Sequence, residues 1–122
     1  MNIQNLVREN IKNLTPYSSA RDEFSADAGV FLDANENPFG DFNRYPDPYQ
    51  KALKTEISKL KNIEANKIFL GNGSDEVIDL LMRIFAEPKK DKILVFNPTY
   101  GMYEVSANIN DVEVVSYPLN QD

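Results

Sequence analysis

The residues with the most chemical potential in this chain lie in FLGNGSDEVIDLL, from Phe69 to Leu81. Strand-forming residues run into Gly71 and Gly73, and Ser74, Asp75 and Glu76 open a helical apolar pattern at once. Glycines let a backbone approach a ligand closely, and the first N–H groups of a helix have no intrahelical acceptor. Those two properties together make a phosphate cup from the amides of Ser74, Asp75 and Glu76, with the Ser74 hydroxyl as a further donor. The same residues also make an ordinary acidic helix start, in which carboxylates favour the positive end of the helix. Both readings stand on the residues alone. Two narrower readings fail. A dinucleotide fingerprint would need glycine where Glu76 stands and an acid near Lys92, and a Walker loop would need Gly-Lys-Ser/Thr.

Three other stretches carry candidates. NPTYGMY, 97–103, follows an apolar run at the end where ligands bind in open α/β sheets. Pro98 and Gly101 fix that loop and display Tyr100, whose ring could stack on a flat ligand, whereas Tyr103 is expected in the core. NRYPDP sets Tyr45 between a turn and a helix cap, where it could donate to an anion or simply cover the helix. LDANENPFG offers Asn35, Glu36 and Asn37, which Asx-turn chemistry explains without a ligand.

General catalysis has few means here. There is no histidine and no cysteine, so the commonest base and metal ligand, and any thiolate site, are missing. No metal site is expected. None of the nine lysines sits in an apolar setting that would suit it to Schiff-base work. A net charge of −6 argues against nucleic acid or an anionic membrane surface as a partner. The charged N-terminal stretch, MNIQNLVRENIKNL, does not read as a signal peptide and no segment is long enough to span a bilayer, so a cytoplasmic location is expected.

With 42% hydrophobic and 26% charged residues, the chain suits an ordered domain. Ile3, Leu6, Val7, Ile11 and Leu14 predict an amphipathic helix over 3–13, ended by Pro16. From Tyr17 to Tyr45 no period persists; Asn35, Asn37, Pro38, Gly40, Asp41 and Asn43 mark irregular structure, and only VFLDA, 30–34, is a candidate strand. Aromatics at 17, 24, 31, 39, 42 and 45 suggest an arm that packs on something, a second subunit being one candidate. Asp47 and Pro48 predict a cap and first turn for a helix over 48–62, with Tyr49, Ala52, Leu53, Ile57 and Leu60 as its apolar stripe. Strand 67–71, helix 75–86, strand 93–96, helix 100–109 and strand 112–117 complete a β-α-β-α-β order, hence a mostly parallel sheet. The middle strand is a continuous apolar run, as expected under cover on both faces.

Taken together, TPYSSARDEF, LDANENPFG with RYPDP, GNGSDE and NPTYGMYEVSA resemble, in order and over essentially the whole chain, the N-terminal third of the histidinol-phosphate aminotransferases. These are pyridoxal-phosphate enzymes of fold type I. The resemblance implies that the backbone amides of Ser74 and Asp75 hold the cofactor phosphate and that Tyr100 stacks on the pyridine ring. It implies no role for the Asp75 side chain at the phosphate. Tyr45 matches the residue that reaches the phosphate of the neighbouring subunit's cofactor. Tyr17 matches an arm tyrosine near the substrate across a homodimer, and Asn35 belongs to a stretch lining the substrate pocket. Residues 1–46 then form the arm and part of the small domain, 47–66 a connecting helix, and 67–122 an incomplete start of the large cofactor domain.

The same resemblance places the Schiff-base lysine, the aspartate that pairs with the pyridinium nitrogen and the substrate-binding arginines downstream of residue 122. The expected activity of the intact protein is amino transfer between glutamate and imidazole-acetol phosphate, both small molecules, in histidine biosynthesis. The 122 residues alone hold no catalytic residue and are expected to be inactive. A related fold type I enzyme, such as a phosphothreonine decarboxylase or aromatic aminotransferase, is one alternative. A non-catalytic α/β module that binds phosphate or a partner chain is another.

Overall fold

A computed structural model describes residues 2–19, 23, 30, 32–41 and 45–120. Phe24, Phe31, Phe42 and Asn43 of the aromatic and turn patterns lie outside the described residues. The chain divides into two compact units, one of Met1–Leu14 with Gly71–Asp122 and one of Thr15–Leu70.

In the first unit, strands β1 (Lys92–Asn97) and β2 (Glu113–Pro118) pair in parallel, Lys92 opposite Glu113 and Asn97 opposite Pro118. Parallel neighbours need a crossover, because a hairpin turn reverses the chain and would make the pair antiparallel. Helix α4 (Met102–Ile109) supplies it, lying against both strands, and helix α3 (Gly73–Phe85) packs on α4. Ile78, Val95, Ala107 and Val112 form the buried core, with Ser106 beside them. The register is marked at both ends by side chains: Lys92 Nζ meets Glu113 Oε1 at 2.7 Å, and the Phe96 and Tyr117 rings meet edge to face at 6.3 Å. Beyond the last pair, Leu119 N–H donates to the Asn97 carbonyl at 2.7 Å, and the Asn97 amide donates to the Ser116 hydroxyl.

Three expectations are corrected here. No ladder forms over 67–71: Ala65–Lys67 is a short 3-10 turn, and Ile68 is extended without a neighbouring strand among the described residues. A strand is defined by its partner, which local propensity cannot supply. The apolar run of β1 is covered on one face only, since Val95 is buried while Leu94 and Phe96 are 57% and 50% exposed. Within VFLDA, the described Val30, Leu32, Asp33 and Ala34 form no strand, and Phe31 is outside the description.

The N-terminal helix is also shorter than its periodicity. A 3-10 turn at Ile3–Asn5 is followed by α1 (Glu9–Lys12), with Arg8 extended between them at φ −57°, ψ 144°. A tertiary contact accounts for the break. Arg8 N–H donates to the Ile84 carbonyl at 2.9 Å, its Nη1 to the Arg83 carbonyl at 2.9 Å, and its Nε to Glu87 Oε2 at 3.1 Å. The last carbonyls of α3 lack intrahelical donors and attract positive charge, and Arg8 meets both needs. At the same helix, Asp79 accepts from Arg83 Nε and from the Asn110 amide, both at 2.7 Å, which ties α3 to the end of α4. Those two bonds hold the Asp79 carboxyl below its ordinary range.

In the second unit, α2 (Lys51–Lys61) starts later than Pro48 suggests. Asp47 accepts from Tyr49 N–H at 2.9 Å and Lys51 N–H at 2.8 Å, and Gln50 turns through φ +47°. The acid still serves the helix start, but Pro48 and Tyr49 belong to the turn before it. Its carboxyl is held below the usual value by the Lys51 and then the Tyr49 amide. Tyr49, Ala52, Leu53 and Leu60 of the expected stripe are exposed, and only Ile57 is half-buried.

Ala107 is 0% exposed, and its carbonyl accepts from Val112 N–H at 2.9 Å where the chain turns into β2. Ala107→Leu should therefore overpack the α4–sheet contact and cost about 1–3 kcal/mol. A urea midpoint unchanged from the parent protein would contradict this packing.

Candidate functional site

The glycine turn is built by backbone. Gly73 N–H donates to the Gly71 carbonyl at 2.9 Å, and Gly73 adopts φ +77°, a region that side chains with a β-carbon disfavour. From there the chain enters α3 directly, and Asn72 at the cap position makes no side-chain capping bond. The first N–H groups of α3 are thus left for something other than an Asn, Ser or Asp cap. Ser74 is exposed at this helix start.

The two acids have destinations of their own. Glu76 reaches back, its Oε2 accepting from the Asn72 N–H and, at 3.1 Å, from the Asn72 side-chain amide. Asp75 reaches forward and accepts from the Tyr100 hydroxyl, at 3.0 Å to Oδ1 and 3.3 Å to Oδ2. Each carboxylate is therefore occupied by a donor. The acidic helix start and the open amides are features of the same turn, because the acids bend to either side of it. The Asp75 side chain, for which no contact with phosphate is expected, bonds instead to Tyr100.

Tyr100 follows the carboxyl end of β1 in the loop that leads into α4. Its ring is 53% exposed and meets Tyr103 edge to face at 6.2 Å. Tyr103 is accordingly not a core residue; it backs Tyr100 and keeps partial exposure. The bond to Asp75, then burial and the Asp75 charge, push the Tyr100 phenol above its ordinary value. One side of this unit now carries unused amide donors, a hydroxyl and a presented aromatic face. That set suits a phosphate ester attached to a flat ring. Of the lysines flanking the strand, Lys89, Lys90 and Lys92 lie at or before the first residue of β1, about 16 Å of strand away from Asn97.

Tyr17, Asn35 and Tyr45 belong to the second unit. Tyr45 N–H donates to Glu36 Oε1 at 2.9 Å, which joins the NRYPDP and LDANENPFG stretches, and Tyr45 keeps its ring 64% exposed. Asn37 accepts from Phe39 N–H at 3.0 Å, the expected Asx turn, and Asn35 is exposed beside it. Tyr17 is 88% exposed. Sequence reasoning joined Ser74, Asp75 and Tyr100 only through resemblance. It missed the Glu76 bracket, for which the i, i+4 spacing from Asn72 was a usable signal, and the Asp75–Tyr100 bond, for which no local signal exists.

Comparison with known proteins finds one family and several named relatives. The family described as "Aminotransferase class I and II" matches residues 17–122. The histidinol-phosphate aminotransferase of Cytophaga hutchinsonii is 58% identical over 98% of this chain, which spans 36% of that relative. Those of Parabacteroides distasonis and Bacteroides fragilis are 55% and 57% identical, each over 98% of the chain and 35% of the relative. The chain thus spans about a third of the length of the curated relatives it matches.

The Asp75 contact can be checked by titration. The phenol of Tyr100, read as the near-ultraviolet absorbance difference between the protein and its Tyr100→Phe variant, should ionise above the ordinary tyrosine value. Asp75→Asn removes the charge that holds the proton, so the same difference should then ionise at lower pH. An unchanged midpoint would show that the carboxylate does not hold the hydroxyl.

Proposed function

The chain belongs to the class I and II aminotransferase family, and we propose that it supplies the phosphate cup and ring plate of a pyridoxal-phosphate site in a histidinol-phosphate aminotransferase. One juxtaposition carries the reading: a helix start entered through Gly73 at φ +77°, with Tyr100 bonded to its third residue. The names and identities of the relatives support the substrate assignment.

In this reading the N–H groups of Ser74 and Asp75 bind the cofactor phosphate, and the Ser74 hydroxyl donates a further bond. Tyr100 lies on one face of the pyridine ring and excludes water from it. The bound cofactor supplies the electron sink for amino transfer between glutamate and imidazole-acetol phosphate. Tyr45 reaches the phosphate of the partner subunit's cofactor in a homodimer, and Tyr17 and Asn35 line the substrate pocket. The Schiff-base lysine, the pyridinium aspartate and the substrate-binding arginines come from outside residues 1–122. Residues 1–46 act as arm and small-domain segment, 47–66 as the connecting helix, and 67–122 as the beginning of the cofactor domain. A cytoplasmic location fits a biosynthetic enzyme of this class.

The full-length protein should transfer the amino group of glutamate to imidazole-acetol phosphate, and residues 1–122 alone should not. Failure of the full-length protein with both substrates and cofactor present would refute the assignment.

The cup itself is tested by substitution in the full-length protein. A β-carbon at Gly73 meets no atom within 4 Å, so the penalty there is the positive φ rather than crowding. Gly73→Val should weaken cofactor retention more than Ser74→Ala, which removes one hydroxyl worth about 0.5–1.5 kcal/mol. Normal retention by a folded Gly73→Val protein would leave only the acidic helix start.

A further inference from the structure

The geometry points to Asp75 as a positioning residue that fixes the distance and tilt between the phosphate cup and the ring plate. This inference rests on the cofactor reading above and adds to it a role for the Asp75 carboxylate. Its N–H belongs to the first turn of α3, while both its carboxylate oxygens lie within hydrogen-bond range of the Tyr100 hydroxyl, at 3.0 and 3.3 Å. The two residues are 25 apart in sequence, on different elements, and this bond ties one to the other directly. Tyr103 meets the Tyr100 ring at 87°, so the ring is held by one aromatic neighbour and its hydroxyl by Asp75. A ligand with an anionic group on a flat ring must meet both features at one separation. Asp75 sets that separation.

The charge of Asp75 makes the idea sharp. A carboxylate beside an anion site is an electrostatic burden, so its removal alone should tighten anion binding. Removal of a positioning contact should instead loosen a ligand that uses the ring. The two roles predict opposite signs for one variant.

The experiment uses the full-length protein and pyridoxamine phosphate, whose amine cannot condense with a lysine, so that noncovalent contacts alone set its dissociation constant. Asp75→Asn and Tyr100→Phe should each raise that constant about threefold to tenfold, the range for one hydrogen bond. Tyr100→Phe keeps the ring and removes only the donor, so it remains informative if Asp75→Asn does not fold. In the Tyr100→Phe background, Asp75→Asn should change the constant by less than about twofold, because the shared contact is already gone. Inorganic phosphate, measured by competition, should bind the Asp75→Asn protein as well as the parent or better. Tighter or unchanged pyridoxamine phosphate binding by Asp75→Asn overturns the inference, as does an unchanged constant for Tyr100→Phe or an equal loss in both backgrounds. Absence of binding by the parent protein overturns the cofactor reading and this inference with it, whereas binding with additive losses overturns this inference alone.

Discussion

The sheet unit depends on a parallel strand pair that cannot form without its crossover. β1 and β2 run the same way, so the chain must return across one face between them, and α4 does this in eight residues. Ala107 and Ser106 are both small and both buried, so α4 can approach its neighbours closely. Once α4 is seated, the loop before it must leave the carboxyl end of β1, and Tyr100 is in that loop. The place of the aromatic plate is thus a result of strand direction. α3 then docks on α4, with Asp79 bonded to Asn110 at the end of that helix. This brings the start of α3 to the same edge.

Much of this order was legible in the residues. The 3.6-residue pattern from Val77 to Phe85 and the apolar run at Ile93–Phe96 correspond to α3 and β1 within a few positions. The failures share a cause. Lys67–Gly71 has strand-like residues but no strand beside it, and Ile3–Leu14 has helical spacing that Arg8 interrupts by bonding to Ile84 and Arg83. In both cases a partner distant in sequence decides the conformation, and periodicity carries no record of it. Pro48 misled for a local reason, since Asp47 uses its carboxylate on both Tyr49 and Lys51 and so builds a turn where a first helical turn was expected.

The site divides along the same line. Gly73, Ser74 and the acids announce a helix start, and their spacing alone left cup and cap equally open. What the structure adds is direction: Glu76 backwards to Asn72, Asp75 forwards to Tyr100. Those directions follow from the helical geometry, because consecutive residues project about 100° apart around the axis. Adjacent carboxylates on a first turn therefore serve different neighbours and leave the axial direction to the backbone.

Arg8 has a consequence for how the chain comes together in time. Its acceptor at Arg83 lies 75 residues further along, beyond the whole of the second unit. At typical synthesis rates of about 5–20 residues per second, Arg8 is incorporated roughly 4–15 s before that carbonyl exists. The second unit, Thr15–Leu70, is by contrast contiguous and has all its own residues available first. Arg8 is thus made long before its partners at Arg83, Ile84 and Glu87, and this contact waits until α3 has been synthesised.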